Sequence, residues 1–294
     1  MPQAASKRIA VITGASSGMG REFAIQIDAL NEVDELWLIA RNESALKEVA
    51  ALLKAPARCM AADLGDAAAL DYLKAELDCA DVIVAYVVNA AGFGKFGTWR
   101  EVPDAAARGM VDVNCRAVVT LTRACLPHMR RGSRVIELAS CAAFVSLPSM
   151  NVYAASKAFV LSYTRALRWE LRGTGITATA VCPAWVKTGF EKTARAVDDA
   201  NASANSATDK RTTPNASNSA TGERVASNVP GGWTGVKHLP FQQKASTVVR
   251  RALLLNRLHF AVATCGVPAF LLRIAGKFLP RCITMAGWEA LRRI

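Results

Sequence analysis

Apolar and polar positions follow two rhythms along this chain. Short, nearly unbroken apolar runs at residues 7–13, 35–40, 81–88, 134–139 and 176–182 read as strands buried on both faces. Between them lie segments such as 21–30, where apolar residues return with helical period. Strand, helix, strand in repetition predicts an α/β architecture with a doubly wound parallel sheet. The rhythm fails from residue 191 to 240. There, Ala, Ser, Asn, Thr and Asp dominate and large apolar residues nearly vanish between 196 and 222. Such a segment buries too little to offset chain entropy, so it is expected to be mobile. The resulting organisation is a core over 1–190, a polar insertion over 191–240, and a last helix and strand with a basic, apolar extension over 241–294.

Composition narrows the class. With 294 residues and 52% hydrophobic, the chain can enclose one sizeable core. Its eight cysteines occur singly without Cys-x-x-Cys, and no secretory leader opens the sequence, so disulfides and zinc are not expected. His128, His238 and His259 form no ligand-spaced pair, and no metal is indicated. The net charge is +12, yet no nucleic-acid recognition motif accompanies it. From Arg250 onward eight Arg/Lys face the single acid Glu289. The longest uncharged run there, 258–272, is too short to span a bilayer and contains Gly266 and Pro268. A last strand is expected over 258–265. Basic residues mixed with Phe270, Leu271, Phe278 and Trp288 fit either peripheral contact of 268–294 with anionic lipid or closure of a substrate pocket.

Candidate chemistry sits at two places. Tyr153 and Lys157 are four residues apart, one turn of a helix, so they share a face. An ammonium beside a phenol favours the phenolate and lowers its pKa from about 10. Ser140 follows the run 134–139, at the carboxyl end of a strand, where open α/β sheets bind ligands. Cys141 beside it is either a reactive thiol or a small core filler. The second place is the amino terminus. The run 7–13 leads into Gly14-Ala-Ser-Ser-Gly18-Met-Gly20 and then a helical segment. Strand, glycine-rich turn and helix together suit a dinucleotide pyrophosphate, held at the helix amino terminus. A Rossmann-type sheet is therefore expected.

These residues together resemble the short-chain dehydrogenase/reductase family, over residues 7 to 190. Gly14, Gly18 and Gly20, with Ser16, Ser17 and Met19 among them, match its cofactor loop. Asp63, followed by Leu64, matches the aspartate that contacts adenine. Asn89-Ala90-Ala91-Gly92 resembles the Asn-Asn-Ala-Gly element, with Ala90 replacing the second Asn. Pro183, Val186 and Thr188 lie in a segment like Pro-Gly-x-x-x-Thr near the nicotinamide, with Ala184 in place of Gly. Neither replacement removes a reacting group. Asn114, Ser140, Tyr153 and Lys157 match the catalytic tetrad.

The resemblance implies roles. Ser140 holds the substrate oxygen, Tyr153 transfers the proton, and Lys157 lowers the tyrosine pKa and binds the nicotinamide ribose. Asn114 holds a relay water. At the end of the second strand stand Arg41 and Asn42 rather than an acid, which favours the 2′-phosphate of NADP(H). NAD(H) remains the alternative if Arg41 only stacks on adenine. The expected activity interconverts a ketone or aldehyde with an alcohol on an apolar, steroid- or lipid-like substrate. A 3-oxoacyl reductase is the alternative enzyme, and a non-catalytic NADP-binding sensor or membrane scaffold the alternative of another kind. A cytoplasmic homodimer or homotetramer is expected, peripheral at the inner face of a membrane if 268–294 attach there. Residues 185–190 and 229–233 are expected to border a substrate lid.

Overall fold

The structure, a computed structural model, describes residues 6–190, 194 and 242–293. The polar insertion and its expected border at 229–233 lie outside the described residues. Seven strands form one parallel sheet: β1 (Lys7–Thr13), β2 (Glu35–Ala40), β3 (Ala57–Ala61), β4 (Val82–Asn89), β5 (Arg134–Leu138), β6 (Thr177–Pro183) and β9 (Val262–Cys265), in the order β3-β2-β1-β4-β5-β6-β9. A short separate ladder pairs β7 (Val186–Lys187) with β8 (Gln243–Lys244). The seventh strand of the sheet thus comes from the carboxyl-terminal part of the chain. It starts four residues later than the sequence rhythm suggests, because 258–261 instead finish a helix and turn, with His259 at φ +60°.

Successive residues of β1 feed opposite faces. Ala10 and Ile12 join Phe23 and Ile27 of helix α1 (Gly18–Asp28) on one side. Ile9 and Val11 join Leu73 of helix α3 (Ala67–Cys79) and Leu121 of helix α5 (Ala117–Cys125) on the other. Replacing the fully buried Phe23 with Ala would cost about 3–5 kcal/mol through lost burial and a residual cavity. Buried Asp28 accepts backbone hydrogens from Lys54 and Ala55, each at 2.9 Å. That contact ties α1 to the loop after helix α2 (Glu43–Ala50).

The strand order reverses between β1 and β4, and their ladder ends at the pair Thr13 and Asn89. The chain leaves both strands there, and Thr13 Oγ1 accepts from the Ala91 N–H at 3.1 Å. This is the topological switch point at which an open α/β sheet leaves a crevice. Helix α4 (Asp104–Val111) and helix α6 (Asn151–Glu170) border the same end. After helix α7 (Ala245–Arg257) and β9, helices α8 (Val267–Phe278) and α9 (Arg281–Arg293) close the chain. Gly276 lets α8 lie on the turn after β5, since a Cβ there would run into the Phe144 carbonyl. No helix among the described residues is long and apolar enough to cross a membrane.

Candidate active site

Two glycines shape the nucleotide end of the crevice. Gly14 (φ +65°) and Gly18 (φ +54°) both adopt the left-handed region. A Cβ on Gly14 would stand 2.8 Å from the Ala91 nitrogen, and one on Gly20 would meet the Gly14 carbonyl. The turn therefore packs backbone on backbone, which only hydrogen side chains allow. Helix α1 begins at Gly18, and the Ser17 side chain makes no capping hydrogen bond. Its first N–H groups border the crevice, with the positive end of the helix dipole behind them. A cradle of this form fits a pyrophosphate. Gly92 contributes a further tight approach: a Cβ there would stand 2.9 Å from Asn114 Oδ1 and 3.2 Å from Lys157 Nζ.

Nearly all residues singled out by the sequence line one cavity of about 1180 Å³. Gly14, Ser16, Ser17, Gly18, Met19, Gly20, Arg41, Asn42, Asp63 and Leu64 form its nucleotide end. Ala90, Gly92, Ser140, Tyr153, Lys157, Pro183, Val186 and Thr188 line the rest. Two expected residues do not line it. Asn89 is turned away, donating to Thr122 Oγ1 at 2.9 Å and Glu137 Oε1 at 3.2 Å beneath the sheet's carboxyl edge. It holds the turn from below rather than reaching into the crevice. Asn114, fully buried, sits in the π-helical turn Asp112–Arg116 between α4 and α5. It accepts from Phe93 N at 3.0 Å and donates to Phe93 O at 2.9 Å and to Ser156 Oγ at 3.0 Å. Such single π turns occur preferentially at functional sites, and this one clamps the loop at Phe93, beside Gly92. Asn42 borders the cavity, but its side chain caps α2 by accepting from Ala45 N at 3.0 Å.

Ser140 caps the short 3-10 turn Cys141–Phe144, its Oγ accepting from Ala142 N at 3.1 Å. Its own hydrogen is directed to the Tyr153 phenol. Tyr153 and Lys157 both point inward from the first turns of α6 and are buried. Lys157 Nζ donates to Leu138 O at 2.8 Å and stands 5.9 Å from the Tyr153 ring centroid. Burial pulls the ammonium down to about 8. The expectation that Lys157 lowers the tyrosine pKa is corrected here. Burial raises the Tyr153 phenol well above its usual value, with hydrogen bonding to Ser140 opposing only part of that. A phenol is protonated at neutral pH in any case, and desolvation strengthens that preference at Tyr153, while the Lys157 ammonium faces the Leu138 carbonyl. Cys141 is buried and its thiol is pushed up to about 11, so it fills space.

Glu137, fully buried on β5, was not among the expected site residues. Its Oε1 accepts from Thr122 Oγ1 at 2.7 Å, while Oε2 has no partner among the described residues. Burial pushes its carboxyl up to about 7. An acid inside an otherwise apolar strand run was the available signal. The far wall of the cavity comes in part from 268–294, in line with the pocket-closing alternative for that segment. Trp288 of α9 stacks near Trp185 (6.5 Å, 20°) and its Nε1 donates to Pro148 O at 3.0 Å. Pro268, Leu271, Leu272 and Leu291 complete that side, and Phe190 packs 5.4 Å from the Tyr153 ring.

Comparison with known proteins matches this geometry. The short chain dehydrogenase family model matches residues 8–199, and the chain belongs to that family. Sulfoacetaldehyde reductase 2 of Chromohalobacter salexigens is 35% identical over 191 residues, 62% of this chain and 74% of that one. The 11-beta-hydroxysteroid dehydrogenase of Pinus massoniana is 33% identical over 196 residues, 63% of this chain and 53% of that one. Among solved structures, a short-chain dehydrogenase from Sphingobium yanoikuyae in complex with NADPH superposes with a TM-score of 0.69 at 22% identity, covering 92% and 93% of the two chains. The protein is an oxidoreductase that uses a nicotinamide cofactor on a carbonyl or alcohol.

Proposed function

We propose that this enzyme is an NADP(H)-linked reductase of apolar ketones, steroid-like or fatty-acyl in character, with Tyr153 as the acid. One observation carries the reading: the glycine cradle, the Ser140–Tyr153–Lys157 group and a wall of Leu, Phe and Trp share a single cavity. When bound, the nicotinamide supplies the hydride. Ser140 donates a hydrogen bond to the carbonyl oxygen and orients it. Tyr153 passes its phenolic proton to that oxygen as negative charge develops there. Its protonated state suits reduction. Lys157 holds the cofactor ribose, and Asn114 keeps the Phe93 backbone and Gly92 in place beside it. Phe190, Trp185 and Trp288 exclude water from the substrate side.

Preference for the 2′-phosphate rests on Arg41, which borders the cavity directly after β2. The next acid, Glu43, is engaged by Lys47 at 2.7 Å. A guanidinium there matches phosphate, whereas NAD would call for a carboxylate. The apolar wall supports a steroid-like substrate, and the pine dehydrogenase named above agrees with it. The test is a spectrophotometric screen of steroid ketones, 3-oxoacyl thioesters and simple ketones with NADPH and NADH. Fastest NADPH consumption with steroid ketones is expected. Turnover confined to 3-oxoacyl thioesters would move the assignment to fatty-acid reduction, and turnover of small polar aldehydes alone would defeat the apolar reading.

A further inference from the structure

Helix α8 lays one face on the body and turns an apolar face outward. Inward it offers buried Ala269, Gly276 against Phe144, and Pro268 and Leu272 to the cavity. Outward stand Val267, Phe270, Leu271, Ile274 and Phe278, at the spacing of one helical stripe. Val267 is 70% and Phe278 71% exposed, so nothing among the described residues covers the ends of that stripe. At 100° per residue Lys277 flanks one edge of it, while Arg273 sits further round and donates to Thr264 Oγ1 at 3.0 Å. Arg281 is exposed at the start of α9, just beyond. Leu271 belongs both to the stripe and to the cavity lining, so the apolar face runs into the mouth of the pocket.

We propose that this face docks on an anionic lipid bilayer, with α8 lying in the plane of the interface. Twelve residues of helix measure about 18 Å, short of the roughly 30 Å hydrocarbon core, so α8 rests on the membrane and does not cross it. Large apolar side chains bordered by cations are the composition that interfacial helices use. Charge decides between lipid and a second copy of the chain. No acid occurs from Val267 to Trp288, and a two-fold interface through α8 would set the exposed Lys277 and Arg281 against their copies. Lipid phosphates complement them. Docked this way, the enzyme presents the pocket mouth to the bilayer. The docking stands apart from the proposed reaction, since its test needs no turnover.

The experiment is co-sedimentation of the full chain with vesicles of phosphatidylglycerol and phosphatidylcholine, or of phosphatidylcholine alone, at low and high salt. Two variants accompany the wild type: Phe270→Glu/Phe278→Glu and Lys277→Gln/Arg281→Gln, all at exposed positions and each checked for wild-type circular dichroism and melting. Wild-type protein should sediment with the anionic vesicles at low salt and be released by high salt. Losing two cations should weaken binding roughly 30-fold, and the Glu pair should abolish it. Wild-type protein that ignores anionic vesicles at low salt overturns the proposal, as does a Glu pair that binds like wild type. Self-association lost in the Glu pair, with vesicles ignored, would assign the face to a second copy and also overturn it.

Discussion

The two ends of the cavity are built by opposite means. At the nucleotide end, consecutive residues do the shaping. Gly14 and Gly18 take φ values that side chains resist, and Gly20 accommodates the Gly14 carbonyl within one turn of chain. At the substrate end, distant segments meet. Trp288 reaches back to Pro148 and stacks near Trp185, and α8 rests on the turn after Ser140. The first end is rigid and local, so it can serve any substrate. The second is assembled by packing, so its shape varies with whatever side chains arrive. Chemistry sits where the two meet, at Ser140, Tyr153 and Lys157.

The sharpest test of that division is Tyr153→Phe. It keeps the ring against Phe190 but removes the proton, so kcat should fall roughly 10³-fold with NADPH affinity unchanged by fluorescence titration. Activity within a few-fold of wild type would remove Tyr153 from the chemistry. At the nucleotide end, Arg41→Asp should shift the ratio of kcat/KM for NADPH over NADH by roughly 100-fold. It deletes a charge-assisted contact worth about 1.5–3 kcal/mol and adds a repelling charge. An unchanged ratio would show that Arg41 does not discriminate.

Between the ends, Glu137→Gln probes the buried floor. The folded protein holds the Glu137 proton up to about pH 7 against 4.5 for the free group. Its contribution to stability is therefore full below about 4.5 and lost as pH rises to about 7. Gln, with no carboxyl to titrate, should remove that slope in urea titrations across pH 4–8. A wild-type pH slope retained in the variant would exclude Glu137 as its source. The smallest expected effect belongs to the substrate end. Trp288→Ala should raise KM for bulky apolar ketones about tenfold while leaving cofactor affinity alone, the loss being apolar contact. Equal effects on KM and cofactor affinity would erase the distinction between the two ends.

Much of this was present in the order of residues. Apolar runs located five of the seven sheet strands within a residue or two, because a doubly covered parallel strand must be continuously apolar. Glycine spacing located the cradle, since a left-handed turn followed by a helix start is encoded in adjacent positions. The spacing of Tyr153 and Lys157 put both on one face of α6. Other properties existed only once the chain had folded. Asn89 turns to Glu137 and Thr122 because those residues, 48 and 33 positions away, fill the space beneath it. The Tyr153 pKa rises above the ordinary phenol value because distant segments bury it, and Lys157 faces Leu138 rather than the phenol. The tail forms a wall of the cavity because Gly276 can meet Phe144 and Trp288 can meet Pro148. Local geometry is written in neighbouring residues; burial, charge state and enclosure depend on what packs against them from far along the chain.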